Sequence, residues 1–169
     1  KGRGIEKILN AFANSQANQH LVFIGGGILE ENIILSQCEN PKIHWIPPVP
    51  SSEVLGYACG ADIGLCLIED VCLSYRYSLP NKFFEYLMAG LPVVVNDLPE
   101  QKKIVEKFGC GWVLPECENS FSNLLKGLTE EDCEAKKVGV SKVRKELDWR
   151  NEERSYLSLC RSLLYPSPH

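Results

Sequence analysis

The chain has 169 residues, 44% of them hydrophobic and 24% charged. That balance fits one globular domain burying roughly 70% of its unfolded-chain surface, and it excludes fibrous, collagen-like and extensively disordered classes. With 18 Lys+Arg against 22 Asp+Glu the net charge is −4, which disfavours a chain-wide basic surface for nucleic acid but leaves room for a local basic site holding a small anion.

The apolar positions Ile5, Ile8, Leu9 and Phe12 lie on one helix face, directly after Lys1-Gly2-Arg3-Gly4. A strand usually precedes such a turn in an α/β chain, so the first strand of the domain is expected upstream of it. Leu21-Val22-Phe23-Ile24 is a short apolar run ending in Gly25-Gly26-Gly27, the pattern of a buried parallel strand and a glycine turn. A helix is predicted over Leu29 to Leu35 and a strand over Ile43 to Ile46. Pro47-Pro48-Val49-Pro50 lacks three N–H donors and reads as an extended loop, after which Ser51 is expected to cap a short helix.

Ala61 to Ile68 reads as another strand, and Glu69 to Tyr77 as a polar and aromatic loop. Ser78 is the expected N-cap of the next helix, with Pro80 in its first turn and Gly90 as C-cap. Phe83, Phe84, Leu87 and Met88 form that helix's buried stripe. A strand at Pro92-Val93-Val94-Val95, a helix from Gln101 to Phe108 and a strand at Trp112-Val113-Leu114 follow. Three helices are predicted last, over Phe121 to Leu128, Glu131 to Leu147 and Glu152 to Leu164, with a disordered tail at 165–169. Alternating strands and helices give an α/β domain over 1–164, with at most six strands and an exposed apolar edge or face near Arg3 and the C-terminal helix.

Eight cysteines include no Cys-x-x-Cys pair, and several sit in apolar stretches. Reduced, mostly buried thiols are expected, and the three scattered histidines offer no metal set. No apolar run nears the ~18 residues of a membrane span and no secretory leader pattern is present, so a cytoplasmic location is expected.

Ligands of open parallel sheets bind at the carboxyl ends of the strands. Arg3 and Lys1, the triple glycine, the proline-rich loop and the segment Tyr75-Arg76-Tyr77-Ser78-Leu79-Pro80-Asn81-Lys82-Phe83-Phe84-Glu85 all fall there. A helix start offers free N–H groups to phosphate, and Asn81 and Lys82 add donors. Glu85, about one turn on, suits a diol, since a carboxylate accepts two hydroxyl hydrogen bonds. The same residues also suit a capped helix start with two solvated charges. Gly26 either lets a ligand approach the backbone or makes a tight strand–helix turn.

In this order the segments resemble the C-terminal, nucleotide-sugar-binding domain of GT-B glycosyltransferases, most of all the retaining family 4 enzymes of bacterial polysaccharide assembly. The likeness is carried by Arg3-Gly4-Ile5-Glu6, Leu21-Val22-Phe23-Ile24-Gly25-x-Gly27, Ala61-Asp62-Ile63-Gly64-Leu65 and, most specifically, Ser78 through Val94. The resemblance implies a Rossmann-like parallel sheet with helices on both faces, the C-terminal half of a GT-B fold, with the acceptor taken by a separate N-terminal domain. It also implies that Arg3 holds the donor diphosphate and that Glu85 holds the ribose hydroxyls. The family's first glutamate falls at Tyr77, and its loop glycine at Pro80.

The donor site implied is Arg3, Gly26, Tyr77, Ser78, Leu79, Asn81, Lys82 and Glu85, with no cofactor and no metal, cationic side chains taking the metal's place. The implied partners are a nucleotide-diphosphate sugar and a glycan or lipid-linked acceptor, with peripheral contact at the inner face of the membrane through the other domain. No nucleic-acid partner is expected. Two alternatives stay open: a non-catalytic nucleotide-sugar-binding or interaction module, and a GT-B sugar-nucleotide epimerase.

Overall fold

The computed structural model describes residues 2–15, 18–117 and 119–164; Lys1 and the 165–169 tail lie outside the described residues. Helix α1 (Ile5–Ser15) leads to β1 (Leu21–Ile24), α2 (Glu30–Glu39), β2 (Ile43–Ile46) and α3 (Ser51–Ala58). Then come β3 (Gly64–Cys66), a four-residue helix α4 (Leu73–Arg76), α5 (Asn81–Ala89), β4 (Val93–Asn96), α6 (Pro99–Phe108) and β5 (Gly111–Leu114). Helices α7 (Ser120–Gly127), α8 (Glu130–Glu146) and α9 (Trp149–Leu164) complete the described chain.

All strand pairing is parallel, in two ladders ordered β1–β2 and β3–β4–β5. Successive side chains of a strand point to opposite faces. Val94 accordingly joins Ile8, Leu9 and Phe12 of α1 and Phe121 and Leu125 of α7 in one core. Val93 and Val95 join Phe83 and Leu87 of α5, Val105 and Phe108 of α6, and Val140 and Val143 of α8 in the other. Helices thus cover both faces, and the continuous Val93-Val94-Val95 run reflects a strand buried on both sides.

The predicted strand over Ala61 to Ile68 is much shorter, Gly64–Cys66. Gly64 N–H donates to Pro92 C=O at 2.9 Å, but Pro92 has no N–H to return, so the ladder stops there. At the other end the Asn96 side-chain amide donates to Ile68 C=O at 2.7 Å in place of a strand partner. Leu67 and Ile68 are buried without being paired. Part of the predicted 69–77 loop forms α4.

The expected serine caps are both corrected. Pro50 and Pro80, in extended conformation, occupy the N-cap positions of α3 and α5, and neither helix has a side-chain cap. Ser51 is already helical, and Ser78 Oγ donates to Tyr75 C=O at 2.8 Å. Gly90 does cap α5 in the left-handed conformation, φ 92°.

The thiols are not mostly buried: Cys66, Cys110 and Cys133 are, whereas Cys38, Cys59, Cys72 and Cys117 are exposed and Cys160 is intermediate, all eight being free. Nor are the histidines all scattered. His20 and His44 stack with ring centroids 5.1 Å apart, and Nδ1 of His20 lies 2.8 Å from Nε2 of His44.

Helix α9 contains no buried residue, and it exposes Trp149, Tyr156, Leu159 and Leu163. Close packing also fixes Gly64, where a Cβ would overlap the Tyr86 ring of α5. Gly64→Ala must displace that ring, and overpacking of this kind costs about 1–3 kcal/mol. Denaturant titration should show a loss in that range; a loss below about 0.5 kcal/mol would mean that α5 slides freely over β3.

Candidate functional site

Parallel strands put every strand's carboxyl end on one side of the sheet, and the structure gathers most of the expected site there. Arg3, exposed, lies in the loop entering α1. Its neighbour Gly2 accepts a hydrogen bond from Glu69 N–H at 3.0 Å, just beyond the end of β3. Glycine is required on both sides of Arg3: Gly2 and Gly4 have φ of 83° and 66°, and a Cβ on Gly4 would sit 2.8 Å from Leu67 O.

Helix α5 begins across from this loop. Phe83 N–H donates to Pro80 C=O at 3.0 Å, while the N–H groups of Leu79, Asn81 and Lys82 have no backbone acceptor among the described residues. Because Ser78 turns its hydroxyl to Tyr75 instead of capping, those donors stay open at the positive end of the helix dipole.

Burial pushes the Lys82 ammonium below its ordinary value; Cys66, when ionised, pulls it back up, and the Arg3 guanidinium pushes it down again. Burial also raises the Cys66 thiol to about 11, so it stays protonated at neutral pH. Among the described residues no carboxylate pairs with Lys82 or Arg3, whereas Lys7, Arg76, Lys102, Lys107 and Lys137 each have an acidic partner. Two cations near each other at an open helix end, with no acid paired to them among the described residues, have the chemistry that suits an anion.

Asn81 and Glu85 line a cavity of about 420 Å³ together with Ser51, Val54, Leu55, Phe84 and Met88, between α3 and α5. Glu85 is exposed and has no basic partner among the described residues, so its carboxylate is available to hydroxyl donors. Its lining is mostly apolar, with the Glu85 carboxylate, the Asn81 amide and the Ser51 hydroxyl among it.

The remaining expected residues are more peripheral. Gly26 lies in the turn after β1, and a Cβ there would meet Glu30 Oε2 at 2.8 Å and Pro48 Cγ at 3.2 Å, so the glycine turn and the proline loop do come together. Tyr77 ends α4 and is 57% exposed; Leu79 is exposed beside it.

Sequence reasoning missed Gln101. It is fully buried in the first turn of α6, donates to Ser78 C=O at 3.2 Å and so ties down the loop that feeds α5. Its signal was a polar residue in the buried stripe shared with Val105 and Phe108.

Residues 9–150 match the family described as the glucosyltransferase 3-like C-terminal domain. The chain belongs to that family. No curated protein matches it. Among solved structures it is similar to WaaG, a glycosyltransferase involved in lipopolysaccharide biosynthesis, at 16% identity and TM-score 0.63, covering 86% of this chain and 40% of that one. Sucrose-phosphate synthase from Thermosynechococcus elongatus matches at 17% identity and TM-score 0.68, with 98% and 43% covered. AviGT4, a glycosyltransferase involved in avilamycin A biosynthesis, matches at 19% identity and TM-score 0.55, with 86% and 46% covered. The fold is therefore that of GT-B glycosyltransferase C-terminal domains, and the chain spans less than half the length of these structures.

Proposed function

We propose that this domain is the donor half of a retaining glycosyltransferase of the family 4 type, binding a nucleotide-diphosphate sugar whose sugar passes to a glycan or lipid-linked acceptor. The observation that carries the reading is the pair Lys82 and Arg3, without an acidic partner among the described residues, at the open start of α5. A diphosphate there would be met by both cations and by the free N–H groups of Leu79, Asn81 and Lys82. Glu85 would accept the two ribose hydroxyls, and the apolar side chains Val54, Leu55 and Met88 give the cavity a surface for the base.

In such a site the chemistry is leaving-group stabilisation. Negative charge grows on the diphosphate as its bond to the anomeric carbon breaks, and preoriented donors and cations stabilise that charge more than they stabilise the ground state. The acceptor and the control of retained configuration lie with parts of the polypeptide beyond this domain. A role in bacterial surface-polysaccharide assembly at the inner face of the membrane belongs to the same proposal; one structural neighbour acts in lipopolysaccharide biosynthesis. No helix among the described residues is long and apolar enough to cross a membrane.

Tyr77, exposed where the resembling enzymes carry their first glutamate, favours a second reading: a module that binds a nucleotide-sugar without transferring it. Both readings predict donor binding, and turnover by the full-length protein with a donor panel separates them.

The binding test is thermal stabilisation by UDP, GDP, ADP and CMP. One of them at 100 times its Kd should add about 2.7 kcal/mol to stability. Glu85→Gln replaces an acceptor oxygen with a donor and should weaken that nucleotide about tenfold, or about 1.4 kcal/mol, with little change in stability. Equal affinity for ribose and 2′,3′-dideoxyribose nucleotides would remove Glu85 from the site.

A further inference from the structure

Gln101 sits where a polar side chain is costly. It is fully buried, in the stripe of α6 that also carries Val105 and Phe108. Its Nε2 donates to Ser78 C=O at 3.2 Å, across 23 positions of sequence. Its Oε1 is buried too and has no hydrogen-bond partner among the described residues. A buried acceptor left unpaired lowers stability, and an apolar side chain of similar volume would avoid that loss. Packing alone therefore favours leucine or methionine at this position. What the glutamine adds is a grip on one carbonyl.

That carbonyl matters through the peptide it belongs to. A trans peptide is planar, with its C=O and N–H pointing in opposite directions. Holding Ser78 C=O against α6 therefore turns the Leu79 N–H away from α6. Ser78 is held from its other side as well, since its N–H and its Oγ both donate to Tyr75 C=O, at 3.2 and 2.8 Å. The Leu79 N–H has no acceptor among the described residues, and Pro80 has no N–H at all. Leu79 is thus the last free main-chain donor ahead of those of Asn81 and Lys82 in the first turn of α5. Donation into Ser78 C=O also polarises the shared peptide and makes its N–H a stronger donor.

On the donor reading above, we propose that Gln101 is a positioning residue for the diphosphate: through the Ser78 carbonyl it aims and polarises the Leu79 N–H. Gln101 itself touches no phosphate. A donor fixed in this way meets an anion without first being reordered, so the benefit appears in binding while the unpaired Oε1 weighs on stability.

Gln101→Met keeps most of the volume and removes the grip, and Gln101→Leu repeats the test with a second shape. Melting curves and titrations use UDP, GDP and ADP as probes. Both variants should melt at or above the unaltered chain, because the unpaired acceptor is gone. The tightest of the three probes should bind each variant about tenfold more weakly. The Leu79 amide signal in NMR supplies the spectroscopic signature. That probe should move the Leu79 amide proton downfield in the unaltered chain and much less in either variant, a difference that a merely structural glutamine would not produce. Equal affinity in the unaltered chain and both variants overturns the proposal and leaves the donor reading standing. Weaker binding with the Leu79 shift intact overturns it too. So do melting temperatures lower by more than about 6 °C in both variants, since Gln101 would then hold the core rather than aim a donor. If none of the three probes stabilises the unaltered chain, the donor reading itself falls, and the role of Gln101 with it.

Discussion

Lys82→Met should lower nucleoside diphosphate affinity about a hundredfold, close to 2.7 kcal/mol. A hydrogen bond to a charged group is worth about 1.5–3 kcal/mol, and the partly buried ammonium of Lys82 is less screened than the exposed guanidinium of Arg3. Arg3→Ala should therefore cost less, about tenfold. Stability should move the other way. Burial holds the folded-state pKa of Lys82 below its ordinary 10.5, so the unfolded chain binds the proton more tightly. The resulting penalty is fully present below the folded pKa and is relieved as pH rises toward 10.5. Met removes the penalty and keeps the stem's packing, so Tm at neutral pH should hold or rise. Titration calorimetry and a melting curve on one variant check both; unchanged affinity ends the diphosphate assignment.

Most of the fold was legible because burial and pairing coincide in its middle. Val93-Val94-Val95 is apolar, β-branched and followed by a helix with Pro99 at its start, and each of those signals was met. The Ala61 to Ile68 segment misled because burial and pairing part company there. Leu67 and Ile68 enter the two cores, while Pro92 and the Asn96 side chain end the ladder. Helix α4 has four residues, too few to show a period. Serine's preference for N-caps was overridden twice by a nearby proline, next to Ser51 and two residues after Ser78, whose fixed φ already suits that position.

The site was legible as residue types but not as relations. Arg3 and Lys82 are 79 positions apart, and only the parallel sheet brings their charges within reach. That Arg3 and Lys82 have no acidic partner among the described residues could not be read from a chain with 22 Asp+Glu; it emerges only once the ion pairs of the fold are seen, none of which includes either cation. The apolar cavity beside Glu85 needs α3, whose Ser51, Val54 and Leu55 gave no functional signal.

Phe83→Ala should remove about 3–5 kcal/mol of unfolding free energy, a large share of the 5–15 kcal/mol typical of a domain. Phe83 is fully buried among Cys66, Leu87, Val93 and Val95, and its ring meets that of Phe84 edge-on with centroids 5.4 Å apart. It directly follows Lys82 and precedes the cavity-lining Phe84 and Glu85, so it pins the turn of α5 that carries the site. Truncation leaves a void where α5 meets β3 and β4, and the turn loses its anchor. Nucleotide affinity should fall as well, by less than for Lys82→Met, because the donors remain but are held less firmly. Phe83→Leu keeps most of the volume and should cost under half as much in stability, with affinity near that of the unaltered chain. The two positions thus carry opposite signatures: Lys82→Met loses binding and keeps stability, whereas Phe83→Ala loses mainly stability. A Phe83→Ala loss below about 1 kcal/mol, far short of a buried aromatic truncation, would mean that α5 is not held to the sheet by this ring.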